Sequence, residues 1–266
     1  MGMREMFGRV REKFNGDEAQ SSPPFDVAVR CHQGKMREEN QDRAAIYTTP
    51  LGALLVVADG VGGLSGGALA AQTAVEGYGS FLASVDSGTD PNTALQRATQ
   101  TVNQAICDNQ VTTKQSMGST VVLALVRGTT AHIGHAGDSR AYLIREDTMS
   151  RLTRDHSIVQ KMVDRGIISD AQSRSHPDAS VLTRSLGQKT MELELSETKL
   201  AAGDALLLCS DGLWAYVEED ALRETASSHL LTAEQSAEAL LCRALEAGGA
   251  DNIGIIFFRV SPSGMV

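Results

Sequence analysis

The sequence predicts an α+β fold in which antiparallel sheets pack together and are covered by helices. Three features carry this reading. Short β-like runs recur along nearly the whole chain. Several are adjacent with only a tight break between them, as at Arg127-Gly-Thr-Thr130 and Gly137-Asp138, which predicts antiparallel hairpins. Segments with an apolar period of 3.6 come in pairs around groups of strands, not in the strict strand-helix alternation of a doubly wound parallel sheet.

Residues 1–24 read as an N-terminal extension: charged at first, then Gly16 to Gln20 and the breaker cluster Ser21-Ser-Pro-Pro24. Met3, Met6, Phe7, Val10 and Phe14 recur there at helical spacing, which leaves open a short amphipathic helix with a linker or a frayed tail. The main domain is expected over 25–260, with 261–266 as a tail. It opens with strands at Phe25 to Val29, Arg43 to Tyr47 and Ala53 to Ala58. Helices follow through Ala71, Val75, Tyr78 and Leu82 and through Leu95, Ala98, Val102 and Ile106. Then come strands at Thr120 to Val126, Ala131 to Gly134 and Ala141 to Ile144. A polar stretch from Arg154 to Leu186 holds a short helix and the loop Ser173-Arg-Ser-His-Pro-Asp178. The strand Ala205 to Cys209, a helix through Ala237, Leu240, Leu241, Ala244 and Leu245, and the strand Ile253 to Val260 complete the order.

With 266 residues, 42% of them hydrophobic but only 4% aromatic, the chain can bury a full, mostly aliphatic core in one domain. A net charge of -9 argues against nucleic acid as a partner and suits a site that concentrates carboxylates for cations. Cys31, Cys107, Cys209 and Cys242 show no C-x-x-C spacing, so neither a disulfide framework nor a thiolate zinc site is indicated. With no signal-type segment and no membrane span, a soluble, cytoplasmic monomer is the expectation.

The stretch Ala58-Asp-Gly-Val-Gly-Gly-Leu-Ser-Gly-Gly67 lies between an apolar run and an alanine-rich segment. It lacks the Lys-Ser/Thr pair of a phosphate-binding Walker loop. Gly63 to Gly67 does match the G-x-S-x-G nucleophile elbow, so a serine hydrolase using Ser65 is the rival enzyme. Where the strand ends, however, the residue is Asp59. Ala205-Leu-Leu-Leu-Cys-Ser-Asp-Gly212 repeats the device at Asp211; Asp138 sits between two strands, and Asp251 immediately before the last one. Each alone suits an ordinary turn. Together, carboxylates at the ends of buried strands are costly unless paired or bound to metal, and all-oxygen ligation selects magnesium or manganese rather than zinc. Arg37, in the polar turn Gly34-Lys-Met-Arg37-Glu-Glu-Asn-Gln-Asp42-Arg43, adds a guanidinium suited to phosphate oxygens.

The elements Arg37-Glu-Glu-Asn-Gln-Asp42, Asp59-Gly-Val-Gly-Gly63, Gly118-Ser-Thr120, Gly137-Asp-Ser-Arg140, Ser210-Asp-Gly212 and Asp251-Asn252 together resemble the type 2C family of metal-dependent protein phosphatases, in its compact bacterial form. The resemblance implies a four-layer α/β/β/α sandwich and hydrolysis of phosphoserine and phosphothreonine by a metal-bridged hydroxide. It implies two ions, Mn2+ or Mg2+, with Asp59 bridging, Gly60 offering its carbonyl to one, and Asp211 and Asp251 completing the other. A third ion would be held by Asp138 and Asp211. Arg37 would bind the substrate phosphate, residues 154–186 would form the variable flap, and the partners would be phosphoproteins made by a cognate kinase. Gln41 stands where the family often has glutamate, with Asp42 beside it, so the second ion should bind more weakly. Val61 replaces the histidine that eukaryotic members use as general acid. His132, His135, His156, His176 and His229 are read as structural or surface residues. An inactive phosphopeptide-binding module is the rival from another class.

Overall fold

The computed structural model describes residues 25–61 and 66–261. The helical spacing at Met3 to Phe14, the loop glycines Gly62 and Gly63, and Ser65 lie outside them. The elements in chain order are β1 (Phe25–His32), β2 (Asp42–Thr49), β3 (Gly52–Val61), α1 (Gly66–Ala83), α2 (Pro91–Thr113), β4 (Gly118–Ser119), β5 (Val121–Arg127), β6 (Thr130–Ala136), β7 (Arg140–Arg145) and β8 (Thr148–Arg151). After these come α3 (Ile158–Asp164), α4 (Asp170–Ser173), β9 (Glu194–Lys199), β10 (Ala205–Cys209), α5 (Asp211–Trp214), α6 (Glu219–Ala226), α7 (Ala233–Glu246) and β11 (Ile253–Val260).

Two antiparallel sheets result. One runs β1-β11-β10-β7-β8; the other runs β2-β3-β5-β6-β9, with β4 added alongside the end of β3. The apolar strands are buried on both faces, which is why they read as continuous runs rather than alternating ones. In β3, Leu54, Val56 and Ala58 pack with Ala71, Tyr78 and Leu95 of the α1–α2 layer. Leu55 and Val57 point the other way, toward Leu206, Leu208, Ile256 and Phe258 of the second sheet. Leu207, Cys209, Ile255 and Phe257 then face Leu240 and Ala244 of α7. Three apolar seams therefore separate four layers. Each fully buried Leu, Ile or Phe contributes about 1.5–3 kcal/mol.

Helix ends follow local chemistry. Asp90 caps α2 by accepting from the Thr93 N–H, with Pro91 in the first turn, and Lys114 ends the helix at φ 56°. Thr232 and Gln235 form a reciprocal capping box on α7.

The break at Arg127 to Thr130 is a hairpin, since β5 and β6 pair directly. Gly137-Asp138 is not, contrary to the sequence expectation. β6 already has β5 on one edge and β9 on the other, so it has no edge left for β7. The chain instead crosses to the other sheet, where β7 joins β10. A glycine at φ 107° serves a sheet-to-sheet crossing as readily as a tight turn.

Candidate metal centre

Aspartates from five places in the chain converge at one end of the sandwich. β2 opens with Asp42, directly opposite Asp59 in the neighbouring strand. Asp138 lies in the crossing between β6 and β7, Asp211 opens α5, and Asp251 precedes β11. Of the residues singled out in the sequence, Arg37, Gln41, Asp59, Gly60, Asp138, Asp211 and Asp251 all line one cavity of about 420 Å3. Asp42 does not line it and is 1% exposed. Asp59 is not the last residue of its strand, as the sequence suggested: β3 continues through Gly60 and Val61, which pair with Ser119 and Gly118 of β4.

Ser119 of that short added strand and the next residue, Thr120, hold the aspartate's backbone. The Asp59 N–H donates to Thr120 Oγ1 (3.1 Å), and the Asp59 carbonyl accepts from the Thr120 N–H (2.8 Å) and the Ser119 hydroxyl (3.0 Å). Thr120 Oγ1 also lies 2.7 Å from Ser139 Oγ, tying this strand to the residue after Asp138. Two close approaches require glycine. A Cβ on Gly60 would sit 2.2 Å from the Gly67 carbonyl oxygen, and one on Gly212 would sit 1.8 Å from that of Asn252.

Asn252 organises the loop between β1 and β2. Its Oδ1 accepts from the Gln41 N–H (2.8 Å), while its Nδ2 donates to the carbonyls of Gln33 (2.8 Å) and Glu39 (2.9 Å). The loop thus brings Arg37 to the site, where Nη2 donates to Asp251 Oδ2 at 2.7 Å. Gln41 reaches the cavity wall beside Gly60, its Oε1 standing 2.6 Å from where a Gly67 Cβ would be. Val61, 39% exposed, lines the cavity without offering a proton.

Some supports were not legible in the motifs. Trp214 Nε1 donates to the Asp138 carbonyl (3.0 Å), and its ring lies under the Arg140 guanidinium (3.4 Å to the centroid). Arg140 in turn makes a buried two-nitrogen contact with Asp155, at 3.0 Å through Nε and 2.7 Å through Nη2. Arg140 stood in the Gly137 to Arg140 motif; nothing in the sequence linked it to Asp155.

The electrostatics are those of like charges held out of water. Burial, and then Asp42 and Asp211, push Asp59 well above the usual carboxylate range; burial and Asp211 do the same to Asp138. Burial raises Asp42 to about 7 despite the Ser210 hydroxyl, which donates to its Oδ2 at 2.6 Å. Burial, followed by Asp251, raises Asp211 to about 6. Asp42 Oδ1 is buried and meets no N–H or O–H donor among the described residues. Buried carboxylates in excess of positive charge, all of them oxygen donors, fit hard divalent cations.

A folded-state pKa above the unfolded one means that the folded chain holds extra protons, so stability is fully present below about pH 4 and declines as pH rises through about 6 to 7. The chelated protein should therefore melt at lower temperature as pH is raised from about 5 to about 8, with a shallower fall in Asp59→Asn. Added manganese should raise the wild-type melting temperature most at the high-pH end. Calorimetry at several pH values checks this; a manganese gain that shrinks with rising pH would contradict it.

Known proteins of one family resemble this chain in sequence and in fold. The protein phosphatase 2C family profile matches residues 32–246. The serine/threonine protein phosphatase PstP of Mycobacterium tuberculosis is 34% identical over 232 residues, covering 86% of this chain but 44% of PstP, so the chain spans less than half of that relative. The serine/threonine phosphatase stp of Listeria innocua is 31% identical over 235 residues, covering 85% of this chain and 92% of the relative. A solved structure of the PstP catalytic domain, in complex with two manganese ions, superposes with a TM-score of 0.80 at 30% identity, covering 89% of this chain and 98% of that one. With the profile spanning most of the sequence and the two-sheet fold shared, the chain belongs to the protein phosphatase 2C family.

Proposed function

We propose that this chain is a metal-dependent protein phosphatase that hydrolyses phosphoserine and phosphothreonine. The observation that carries the reading is the cavity itself: Asp59, Asp138, Asp211 and Asp251, from four places in the chain, line it with the Arg37 guanidinium beside them, and Asp42 lies buried next to Asp59. Asp59, the Gly60 carbonyl, Asp211 and Asp251 would hold two ions, manganese or magnesium, and Asp138 with Asp211 a third. Bound there, such ions supply Lewis acidity toward a phosphoryl oxygen and acidify a water for attack.

The chain's own residues divide the remaining work. Asp59, fixed by Ser119 and Thr120, presents its carboxylate without a searching backbone. Arg37 binds and orients the phosphoryl group; it engages Asp251 through Nη2 and its side chain is 55% exposed, so the rest of the guanidinium faces the cavity mouth. Asp251 would help to hold an ion while its Oδ2 orients Arg37. Val61 leaves the leaving serine or threonine to take its proton from water.

The substrates are phosphoproteins, those of a cognate serine/threonine kinase, and the chain acts as a cytoplasmic monomer with 25–260 as its catalytic domain and 1–24 as an extension. Among the described residues no helix is long and apolar enough to cross a membrane. Relatives named as serine/threonine phosphatases favour this over a serine hydrolase, and the full set of aspartates favours it over an inactive module.

Asp59→Asn should lower kcat on an aryl phosphate by at least about a hundredfold, the scale of lost electrostatic stabilisation, whereas Ser65→Ala should leave it within about twofold. Steady-state assays with manganese decide, and the reverse ranking would move the chemistry to Ser65.

Gln41→Glu adds one charge beside Gly60 and should lower the manganese concentration giving half-maximal activity, since charge count governs affinity for hard cations. It should also raise KM by competing for Arg37. Paired metal and substrate titrations at fixed ionic strength read both; an unmoved metal midpoint would take Gln41 out of the ion environment.

A further inference from the structure

The base of the flap holds a second cluster of ligand-type side chains, chemically unlike the first. His135 near the end of β6 stands opposite Glu194 at the start of β9, and His156 reaches the same spot from the segment after β8. Their ligand atoms all lie within 4.8 Å of one another. We propose that His135, His156 and Glu194 form a further metal site, taking a borderline divalent ion such as zinc. The sequence reading had left both histidines as structural or surface residues.

The donor set decides the class of ion. Two imidazoles and one carboxylate with an open fourth position suit zinc, whereas the all-oxygen cavity suits magnesium or manganese. The neutral form that ligation needs is the resident one. Burial lowers the pKa of both histidines, and the Arg184 guanidinium lowers them further, while the imidazoles hold Glu194 below its ordinary value against the effect of its burial. The same Arg184 charge opposes a dication and tempers the affinity.

Hydrogen bonding sets the orientation. His135 Nε2 lies 2.9 Å from the Arg154 carbonyl, which can only accept, so Nε2 carries the proton and Nδ1 keeps its lone pair. Such a second bond to a carbonyl is the usual support of a ligating histidine. His156 is held differently: its Nδ1 accepts from the Gly137 N–H at 3.3 Å, so Nε2 carries the proton and donates to Glu194 Oε2 at 3.1 Å.

Ion binding therefore requires a change at His156 alone. The two rings stack with centroids 4.5 Å apart and planes 3° from parallel, and in-plane lone pairs of parallel rings cannot meet at one ion. His135 is 3% exposed and fixed by Arg154; His156 is less buried and its Nδ1 bond is long. The His156 ring turns, its proton passes from Nε2 to Nδ1 with no net change in charge, and the Gly137 N–H loses its acceptor. Gly137 adjoins Asp138, so occupancy of the site is felt at the edge of the carboxylate centre.

The test uses the full chain with magnesium in large excess to occupy the carboxylates. Zinc is titrated calorimetrically into wild type, Glu194→Gln and His156→Gln, with circular dichroism confirming each fold. Wild type should bind zinc at least about tenfold more tightly than either variant. In wild type alone, zinc should also shift the imidazole 15N resonances and speed hydrogen exchange at the Gly137 amide. Glu194 is half exposed, so its replacement keeps the test open even where His156→Gln does not fold. Equal zinc affinity in wild type and Glu194→Gln, or no zinc bound under excess magnesium, would overturn the proposal.

Discussion

Carboxylates that cannot all ionise at once govern this molecule. At one end of the sandwich, Asp42 and Asp59 are directly opposed across a strand pair, and Asp138, Asp211 and Asp251 are close enough to perturb them. Like charges in that arrangement, out of water, are unfavourable. Among the described residues, Arg37 contacts the cluster directly, through Asp251. The folded state can carry the cluster protonated or with divalent cations, and the proposed phosphatase activity would need the second condition.

The rest of the fold serves to hold that conflict in place. Three aliphatic seams anchor the strands so that their ends cannot drift apart under repulsion. Hydrogen bonds then fix the backbone rather than neutralise the charge: Ser119 and Thr120 on Asp59, Trp214 on the Asp138 carbonyl, Asn252 on the loop that brings Arg37. Donors into the carboxylates themselves include the Ser210 hydroxyl on Asp42 and, on Asp251, Arg37 and the Asn252 N–H; the Ser210 hydroxyl also accepts from the Gly254 N–H. The site is preorganised by its surroundings, as the proposed chemistry would need.

Much of this was legible because the relevant signals are local. Apolar runs such as Leu54 to Ala58 and Ala205 to Cys209 are buried on both faces, and their aspartate-glycine ends marked the site. What failed to show was either marginal or non-local. β9, with the sequence ELSETK, is an edge strand exposed along most of its length, so it carries no apolar signature. β4 is two residues long and is defined by its pairing with β3 and a bridge from Ser119 to Leu186. Gly137-Asp138 has the chemistry of a turn, and only the occupancy of both edges of β6 makes it a crossing between sheets. The Arg140–Asp155 pair and the His135–His156 stack join residues whose proximity depends on the complete fold.

The claim that protons and divalent cations compete for one buried carboxylate cluster is tested most directly by counting protons released on ion binding. Manganese titrated into the chelated protein at about pH 6, in buffers of differing ionisation enthalpy, gives that number calorimetrically. With Asp59 and Asp138 raised well above their ordinary values, Asp42 near 7 and Asp211 near 6, more than one proton per chain should be released, and fewer as pH is raised past about 8. Tight manganese binding with no proton release at about pH 6 would mean that the aspartates are already ionised without cations, and the account of the site would fail.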